Sequence, residues 1–289
     1  MEVKIRGGLG NQLFGLFGAM WAGQTLVRKT VLDITDIDKN HTSGKYDFRS
    51  FNINAPILVR EPKPFEVKAR RLSDFIFERG HNSIVDDSAI NSRALLYEKL
   101  EYEISQGTLP LKVKLKGFFQ DFSYFDSLAP DYQQLELKNP SKNYLLASKK
   151  IKNIKPIVVH IRIGDYLNNK FGLLSENFFA SSIETMKKSL GKREIWIFTN
   201  SPQLLTALYP SILQRNFRIF NPSGDPAEAM ILMSEAEGIV CSNSTFSFWA
   251  AKLAKAKSKV VVPKIYSKDS EIQIRSLPKS WTQMENTWL

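Results

Sequence analysis

A short segment near the middle of the chain combines a histidine, an arginine, a glycine and an aspartate. It reads His160-Ile161-Arg162-Ile163-Gly164-Asp165-Tyr166 and follows the apolar run Ile157-Val158-Val159. Open α/β sheets bind ligands at the carboxyl ends of their strands, so this position suits a functional group. Arg162 is the foremost candidate, because its guanidinium stays charged and can grip a phosphate through two parallel hydrogen bonds. A surface ion pair with Asp165 is the alternative role for Arg162.

His160 and Asp165 are the titratable groups of this segment that could move a proton. The His160 imidazole could do so, or it could be buried and bonded to the backbone, and both roles stay open. Asp165 is a candidate general base, as are Asp33, Asp36 and Asp121 in the first half of the chain. The sequence alone does not choose among these carboxylates.

A glycine-rich turn near the N-terminus could also meet an anion. It reads Gly7-Gly8-Leu9-Gly10-Asn11-Gln12 and matches neither the dinucleotide fingerprint nor the Walker loop. Backbone amides around Gly8 and Gly10 can face an anion, and the Asn11 side chain can donate and accept at short range. A tight turn with Asn11 as the helix cap is the alternative.

A second turn is rich in hydroxyl groups. It reads Ser242-Asn243-Ser244-Thr245-Phe246-Ser247 and precedes an apolar pattern of helical spacing. Hydroxyl groups and unpaired amides at a helix N-terminus can bind a phosphate. Capping of that helix by Ser244 or Thr245 is the alternative. Together with Arg162, the two turns predict a diphosphate site.

The elements that must position these residues alternate along the second half of the chain. Strands are predicted at 157–163, 194–199, 217–220, 238–242 and 259–262, and helices near 176–189, 202–209, 226–236 and 246–256. This order predicts a doubly wound parallel sheet. The first half opens as a strand at 2–6, a glycine loop and a helix, with further strands at 30–34 and 112–117.

The length of 289 residues suits either one large α/β domain or two of ordinary size, and we expect two. We place them at 1–150 and 151–289, with the lysine-rich segment 148–156 as the linker between them. A return of the last residues to the first domain stays open.

The charge of the chain favours acidic partners. Forty Lys and Arg residues against 29 Asp and Glu residues give a net charge of +11. Such a surface suits nucleotide phosphates, nucleic acid or an anionic membrane. No zinc finger, RNA-binding aromatic signature or helix-turn-helix is evident, so we expect no nucleic-acid partner.

Cysteine and histidine usage argues against disulfides and metals. Cys241 is the only cysteine, which excludes an intrachain disulfide and a cysteine-based zinc site and fits a reducing compartment. The histidines lie far apart in sequence, at His41, His81 and His160. We therefore expect no bound metal.

A membrane anchor is not expected, but peripheral attachment is a hypothesis. The apolar run at 13–23 is shorter than the about 20 residues that span a bilayer. A basic amphipathic helix at 65–77 could be a solvated surface helix or could dock on an anionic membrane, as could the lysines at 252, 255, 257 and 259. We expect a cytoplasmic protein. If these segments dock on an anionic membrane, the protein is peripherally attached to the inner membrane.

Three segments in this order carry a family resemblance. Gly-Gly-Leu-Gly-Asn-Gln-Leu-Phe at 7–14, His-x-Arg-x-Gly-Asp-Tyr at 160–166 and Asn-Ser-Thr-Phe-Ser-Phe-Trp-Ala-Ala at 243–251 resemble motifs of the family 11 glycosyltransferases, the α-1,2-fucosyltransferases. Weaker similarities occur at 46–53, at 117–120 and at 124–125. The resemblance therefore covers nearly the whole chain.

The resemblance implies a GT-B-like α/β fold of two Rossmann-type domains with the donor site in the cleft. It implies that the second domain holds GDP-β-L-fucose, that the first faces an oligosaccharide or lipid-linked acceptor, and that transfer proceeds with inversion and without a metal or other cofactor. Arg162 would hold the diphosphate, His160 would support the phosphate or sugar end, and Asn11 would reach the donor. Asn243, Ser244, Thr245 and Phe246 would complete the donor site.

The chain departs from the family pattern at three places. Ile163 stands where a second arginine is common, Ala236-Glu237-Gly238 where Cys-x-His is usual, and Phe248 where tryptophan is typical. These departures bear on the donor, so a related GDP-deoxysugar such as colitose is the second donor expected.

Two other functions are the alternatives to an enzyme. The protein could be a noncatalytic module that binds sugar nucleotides or glycans, or a basic nucleic-acid-binding protein. The oligomeric state stays open.

Overall fold

The computed structural model describes residues 1–34, 37, 48–55, 57–60, 84–85, 91–109, 113–167, 169–213, 217–220, 224–269 and 272–289. The chain divides into two compact units, Met1–Lys138 and Asn139–Leu289. The division lies earlier than the boundary predicted between residues 150 and 151. The assignment of one unit to the acceptor and the other to the GDP-sugar stays a prediction.

The strands of the first unit are β1 (Glu2–Lys4), β2 (Thr30–Asp33), β3 (Phe51–Asn52), β4 (Ile57–Arg60), β5 (Ile84–Val85), β6 (Lys114–Lys116) and β7 (Glu136–Leu137). Five of them form a parallel sheet in the order β4-β2-β1-β6-β5. β3 and β7 form a separate antiparallel pair. The predicted opening of strand, glycine turn and helix is confirmed.

The helices of the first unit are α1 (Leu9–Thr25), α2 (Arg93–Ser105) and α3 (Ser123–Asp126). α1 is buried over most of its length, because its residues are almost all apolar or small. A Cβ atom at Gly18 would lie 2.2 Å from the Phe119 ring. Glycine at this position therefore lets the segment after β6 pack directly on the helix.

The linker predicted at 148–156 is wrong, since most of it is helical. Helix α4 (Lys142–Ile154) is the first helix of the second unit, and it is followed by the C-cap residue Lys155, whose backbone is left-handed. Tyr144, Ala147 and Ile151 face inward at helical spacing, while the lysines occupy the outer face. The lysine content of this segment is thus that of a solvated helix face, and Pro156 follows the helix as a stop signal.

The second unit is a six-stranded parallel sheet with helices between its strands. Its strands are β8 (Ile157–Ile161), β9 (Ile195–Thr199), β10 (Phe217–Ile219), β11 (Gly238–Val240), β12 (Lys259–Pro263) and β13 (Thr282–Met284), in the order β10-β9-β8-β11-β12-β13. Its helices after α4 are α5 (Glu176–Leu190), α6 (Pro202–Leu208), α7 (Pro210–Leu213), α8 (Pro226–Ser234) and α9 (Thr245–Lys252). All five strands predicted for this half are confirmed.

The core of this unit lies around β8, whose five residues are all buried. A strand that is buried at every position is typical of a parallel sheet that is covered on both faces. The last residues stay in the second unit, because β13 pairs with β12 and the Leu289 amide donates to the Leu173 carbonyl at 2.8 Å. Strand β13 was not predicted, since its short, half-exposed sequence lacks a β pattern.

Some predictions fall outside the described residues. They concern the basic helix at 65–77, the carboxylate of Asp36 and the segment at 46–47. Among the helices that are described, none is both long and apolar enough to cross a membrane.

Candidate functional site

The carboxyl ends of β8 and β11 bring together the candidate residues of the second unit. The two strands are parallel neighbours, with Ile157 opposite Gly238 and Val159 opposite Val240. The segments that follow them therefore start side by side, at the edge where such sheets bind ligands. The His160 ring centroid lies 5.3 Å from that of Phe246, so the first segment contacts the second directly.

Arg162 forms the ion pair that was the alternative role expected for it. Its Nε lies 2.8 Å from Asp165 Oδ1, and its Nη2 donates to Asp165 Oδ2 at 3.1 Å. The guanidinium also lies over the Tyr166 ring, 5.7 Å from its centroid. The bond from Nη2 uses one of the five N–H donors of the guanidinium, whereas Nε faces Asp165 as an ion pair without a hydrogen bond. Since 26% of the side chain is exposed, Arg162 is both held in place and open to an anion.

Asn200 fixes the backbone of this segment from the end of the neighbouring strand β9. Its Oδ1 accepts from the Ile163 amide at 2.9 Å, and its Nδ2 donates to Asp165 Oδ1 at 3.4 Å. A Cβ atom at Gly164 would lie 2.6 Å from Asn200 Nδ2, so the approach requires glycine. Sequence reasoning missed Asn200, although its place directly after a predicted strand was an available signal.

His160 is buried and neutral. It is 3% exposed, and its Nδ1 lies 2.7 Å from Ser242 Oγ. Burial lowers the His160 pKa to about 3, and the positive charge of Arg162 adds to this shift. An imidazole with so low a pKa is a weak base at neutral pH. The geometry thus favours the structural role of His160, which holds the two strand ends together, over proton transfer.

The hydroxyl groups of the second turn contact tyrosines. Ser244 and Thr245 are 4% and 9% exposed. Ser244 bonds to the Tyr166 hydroxyl and Thr245 to the Tyr266 hydroxyl. Ser244 occupies the N-cap position of α9, but its side chain accepts no capping bond, so this part of the alternative is wrong. The turn keeps its backbone amides at a helix N-terminus.

Burial raises the pKa of Tyr166 to about 12 and that of Tyr266 well above its ordinary value. Both phenols therefore stay protonated and hold the loops after β8, β11 and β12 together. Phe171 stacks on Tyr166 at 5.1 Å and meets the Tyr266 ring edge-on at 6.2 Å. Tyr266 was missed by sequence reasoning, because its relevance depends on β12 lying beside β11.

Asn243 anchors the loop after β8 from within. Its Nδ2 donates to the Phe171 and Gly172 carbonyls, both at 3.1 Å, and the residue is 1% exposed. Phe246 is only partly buried, unlike the three residues before it. Within the second turn, the Phe246 ring is thus the side chain that is best placed to meet a ligand.

The glycine turn of the first unit lies at the carboxyl end of β1. Gly7 has a left-handed backbone, with φ of +80°, and Gly8 is the N-cap of α1. A Cβ atom at Gly8 would meet no heavy atom within 4 Å, whereas Gly10 is buried inside the helix. Asn11 is not the cap, which corrects the alternative: it lies in the first turn of α1 and accepts from Gln120 Nε2 at 3.1 Å.

Asp121 is committed to the backbone of the first unit. Its Oδ2 accepts from the Arg93 amide and its Oδ1 from the Ser123 amide, both at 2.9 Å. It thereby ties the beginnings of α2 and α3 together, a structural role. Asp33 is buried at the end of β2. Within the described parts of the chain, no three His, Cys, Asp or Glu residues are grouped so that they could hold a metal ion.

Residues 99–285 match the model of glycosyl transferase family 11. The chain is 28% identical over 285 residues to the O-antigen biosynthesis glycosyltransferase WbnK of Escherichia coli, covering 89% of this chain and 91% of that protein. It is 24% identical over 298 residues to the alpha-1,2-colitosyltransferase of Escherichia coli, with 98% of each covered.

A crystal structure of POFUT1 in complex with GDP is similar in fold. The TM-score is 0.51 at 13% identity, over 90% of this chain and 97% of that one. At this identity the similarity concerns the fold alone, and with the two parallel sheets it confirms the predicted GT-B-like class. The family match spans more than half of the sequence. The chain is a member of glycosyl transferase family 11.

Proposed function

We propose that the protein transfers L-fucose from GDP-β-L-fucose to the 2-hydroxyl of a galactosyl acceptor, with inversion, during synthesis of a bacterial O-antigen. Family membership supports the transfer of a sugar. The names of the two Escherichia coli relatives support an O-antigen and an α-1,2 linkage. The observation that carries the proposal is the Arg162 guanidinium, oriented by Asp165 at the carboxyl edge of the second sheet, on the segment whose His160 ring contacts Phe246 of α9.

This arrangement suits the charge that develops during the reaction. As the bond to the anomeric carbon breaks, negative charge grows on the leaving diphosphate. A fixed guanidinium and preorganised backbone amides stabilise that charge more in the transition state than in the bound substrate. Arg162, held by Asp165, and the positive end of the α9 dipole at its N-terminal turn would supply this stabilisation.

We also propose that the transfer needs no metal ion, because these fixed positive groups can take the part of a divalent cation on the diphosphate. Purified enzyme treated with EDTA should keep its full rate of transfer. Loss of that rate, with recovery when Mg²⁺ or Mn²⁺ is added back, would contradict a metal-independent reaction.

Colitose is a second candidate for the transferred sugar. The relative named as an alpha-1,2-colitosyltransferase covers nearly the whole chain, which favours this donor. Colitose is L-fucose without its 3-hydroxyl, so the two donors differ by one polar group. A site that binds the hydroxyl rejects the sugar lacking it strongly, whereas an apolar site discriminates about 100-fold at most.

The experiment is a donor screen. GDP-fucose and GDP-colitose are each incubated with lactose, and the products are identified by mass spectrometry. Transfer from GDP-fucose supports the leading proposal, and transfer from GDP-colitose alone assigns the second. If GDP binds in a calorimeter but no donor yields a product across a panel of glycan acceptors, the protein is a noncatalytic binding module.

Peripheral contact with the inner face of the cytoplasmic membrane is proposed as well, since lipid-linked acceptors reside there. Lys255, Lys257 and Lys259 are exposed beside the beginning of β12, and Lys252 is half-buried. Such a cluster is attracted to anionic lipids. Sedimentation with liposomes that contain phosphatidylglycerol should be salt-sensitive, and equal sedimentation with neutral liposomes would contradict the contact.

A further inference from the structure

A cavity of about 570 Å³ lies within the first unit, and no residue of the glycine turn lines it. Its walls come from the segment 48–55, from β4 and from the segment 131–138. Its volume falls in the range of roughly 300–1,000 Å³ that is typical of sites for small molecules. Phe48 and Phe51 are buried, at 2% and 1% exposure, and form its apolar base.

The cavity wall is held by backbone pairing. Phe51 of β3 pairs with Leu137 of β7, and the Lys138 amide donates to the Ser50 carbonyl at 2.9 Å. These bonds join two of the segments that line the cavity. The cavity is therefore preformed, which lowers the entropic cost of binding.

The polar lining suits a neutral, hydroxyl-rich ligand. It contains two cationic side chains, two carboxylates and three amides: Arg49, Lys138, Asp131, Glu136, Asn52, Asn54 and Gln134. The formal charges cancel, so the lining does not favour a polyanion such as a diphosphate. Carboxylates, amides and guanidinium groups are planar and can bond two neighbouring hydroxyls at once, while apolar side chains such as Ile57 can contact C–H faces.

Gln12 connects this cavity to the glycine turn. It is 2% exposed, its Nε2 donates to the Gly7 carbonyl at 2.9 Å, and its Oε1 accepts from the Phe48 amide at 3.1 Å. One buried side chain thus fixes the turn and the cavity base relative to each other. Gln12 belongs to the first of the three motifs, and the cavity wall includes most of the weaker similarity at 46–53.

We infer that this cavity binds a neutral saccharide and that it is a subsite for the acceptor glycan. The saccharide follows from the lining; its role as acceptor rests on the proposed function. Asn52 and Glu136 are the residues to test, because both are exposed side chains of the β3–β7 pair and their replacement should not disturb the fold.

The test compares Asn52→Ala and Glu136→Gln with matched controls at exposed positions away from the cavity, Asn153→Ala and Glu98→Gln. Binding of lactose and methyl β-galactoside is measured by saturation-transfer NMR without donor. The Michaelis constant for lactose is measured with the active donor, and GDP affinity is measured by calorimetry. Thermal unfolding curves establish that every variant is folded.

The inference predicts that the saccharide signal seen with the wild type weakens in both cavity variants and persists in both controls. The KM for lactose should rise about tenfold, as the loss of one hydrogen bond implies, while the affinity for GDP stays unchanged. Absence of a saccharide signal with the wild type, or equal signals in cavity variants and controls, overturns the inference. A signal that depends on the cavity, in a protein that transfers no sugar, overturns the proposed function instead.

Discussion

At the scale of single residues, Arg162 and Asp165 act as one unit. The carboxylate holds the guanidinium, and Asn200 holds the carboxylate from the end of β9. Ile163, which stands where family members commonly have a second arginine, is fully buried in the core of the second unit. A single oriented arginine therefore provides the cationic side chain of this segment.

Replacement of Asp165 by Asn distinguishes an orienting role from a base. The amide keeps one acceptor oxygen but loses the charge. If Asp165 orients Arg162, the affinity for GDP falls in the variant, because the guanidinium is less well held. If Asp165 is the base, kcat falls by about 100-fold or more while GDP binding is kept. Calorimetry and initial rates separate the two outcomes, and full turnover with normal GDP binding would remove Asp165 from both roles.

The buried His160 predicts a pH dependence of stability. Its pKa is about 3 in the folded protein and about 6.5 when unfolded. Between these values the unfolded state binds more protons, so the stabilising contribution is complete above pH of about 6.5 and is lost as the pH falls toward 3. Urea unfolding between pH of about 7 and 5 should show a steeper loss of stability for the wild type than for His160→Gln.

The protonation state of His160 in the folded protein can be followed by NMR. The His160 imidazole signal, assigned by its absence from the His160→Gln spectrum, should keep its neutral position at pH of about 5. A signal that titrates near pH of about 6.5 in the folded protein would contradict a buried neutral imidazole. So would equal slopes of unfolding free energy against pH for the two proteins.

At the scale of elements, α4 is attached to α8 by a buried carboxylate. Glu228 is 3% exposed, and it accepts from the Ser141 amide at 2.5 Å and the Ser141 hydroxyl at 2.8 Å. The same hydroxyl caps α4 by accepting from the Tyr144 amide at 3.1 Å. One side chain of α8 thus orients Ser141, the N-cap residue of α4.

Glu228→Ala should lower the free energy of unfolding by about 2 to 3 kcal/mol, because the Ser141 donors lose a charged acceptor. Urea denaturation measures the loss. Glu184→Ala is the control, since its carboxylate is half-exposed on α5 and forms a surface ion pair with Lys187; it should change stability by about 0.5 kcal/mol at most. Equal effects of the two replacements would show that Glu228 does not stabilise the contact of α4 with α8.

The elements were predictable where a pattern is local. An apolar run predicts the buried strand at 157–161, and the closely spaced glycines predict the turn before α1. The lysine-rich composition of 148–156 predicts a linker, whereas the inward spacing of Tyr144, Ala147 and Ile151 shows that most of this segment belongs to a helix. The need for glycine at position 18 depends on Phe119, which is far away in sequence and only meets α1 in the folded unit.

At the scale of the whole molecule, the sequence predicted the class of fold because strands and helices alternate regularly. It placed His160 and Ser242 at strand ends, but not their 2.7 Å contact, which depends on β8 and β11 being neighbours. Tyr266, which contacts Tyr166 and the turn before α9, was missed for the same reason. The motifs predict which segments are functional, whereas the order of the strands in the sheet determines which of their side chains are in contact.

The central claim is that Arg162 stabilises the diphosphate of a GDP-deoxysugar during transfer. The most direct measurement is kcat/KM for the active donor with lactose, for the wild type, Arg162→Ala and the exposed control Arg275→Ala. The account predicts a loss of about 100- to 1,000-fold for Arg162→Ala, as for other groups that stabilise developing charge, and no change for the control. A folded Arg162→Ala enzyme that transfers the sugar as fast as the wild type would contradict the account.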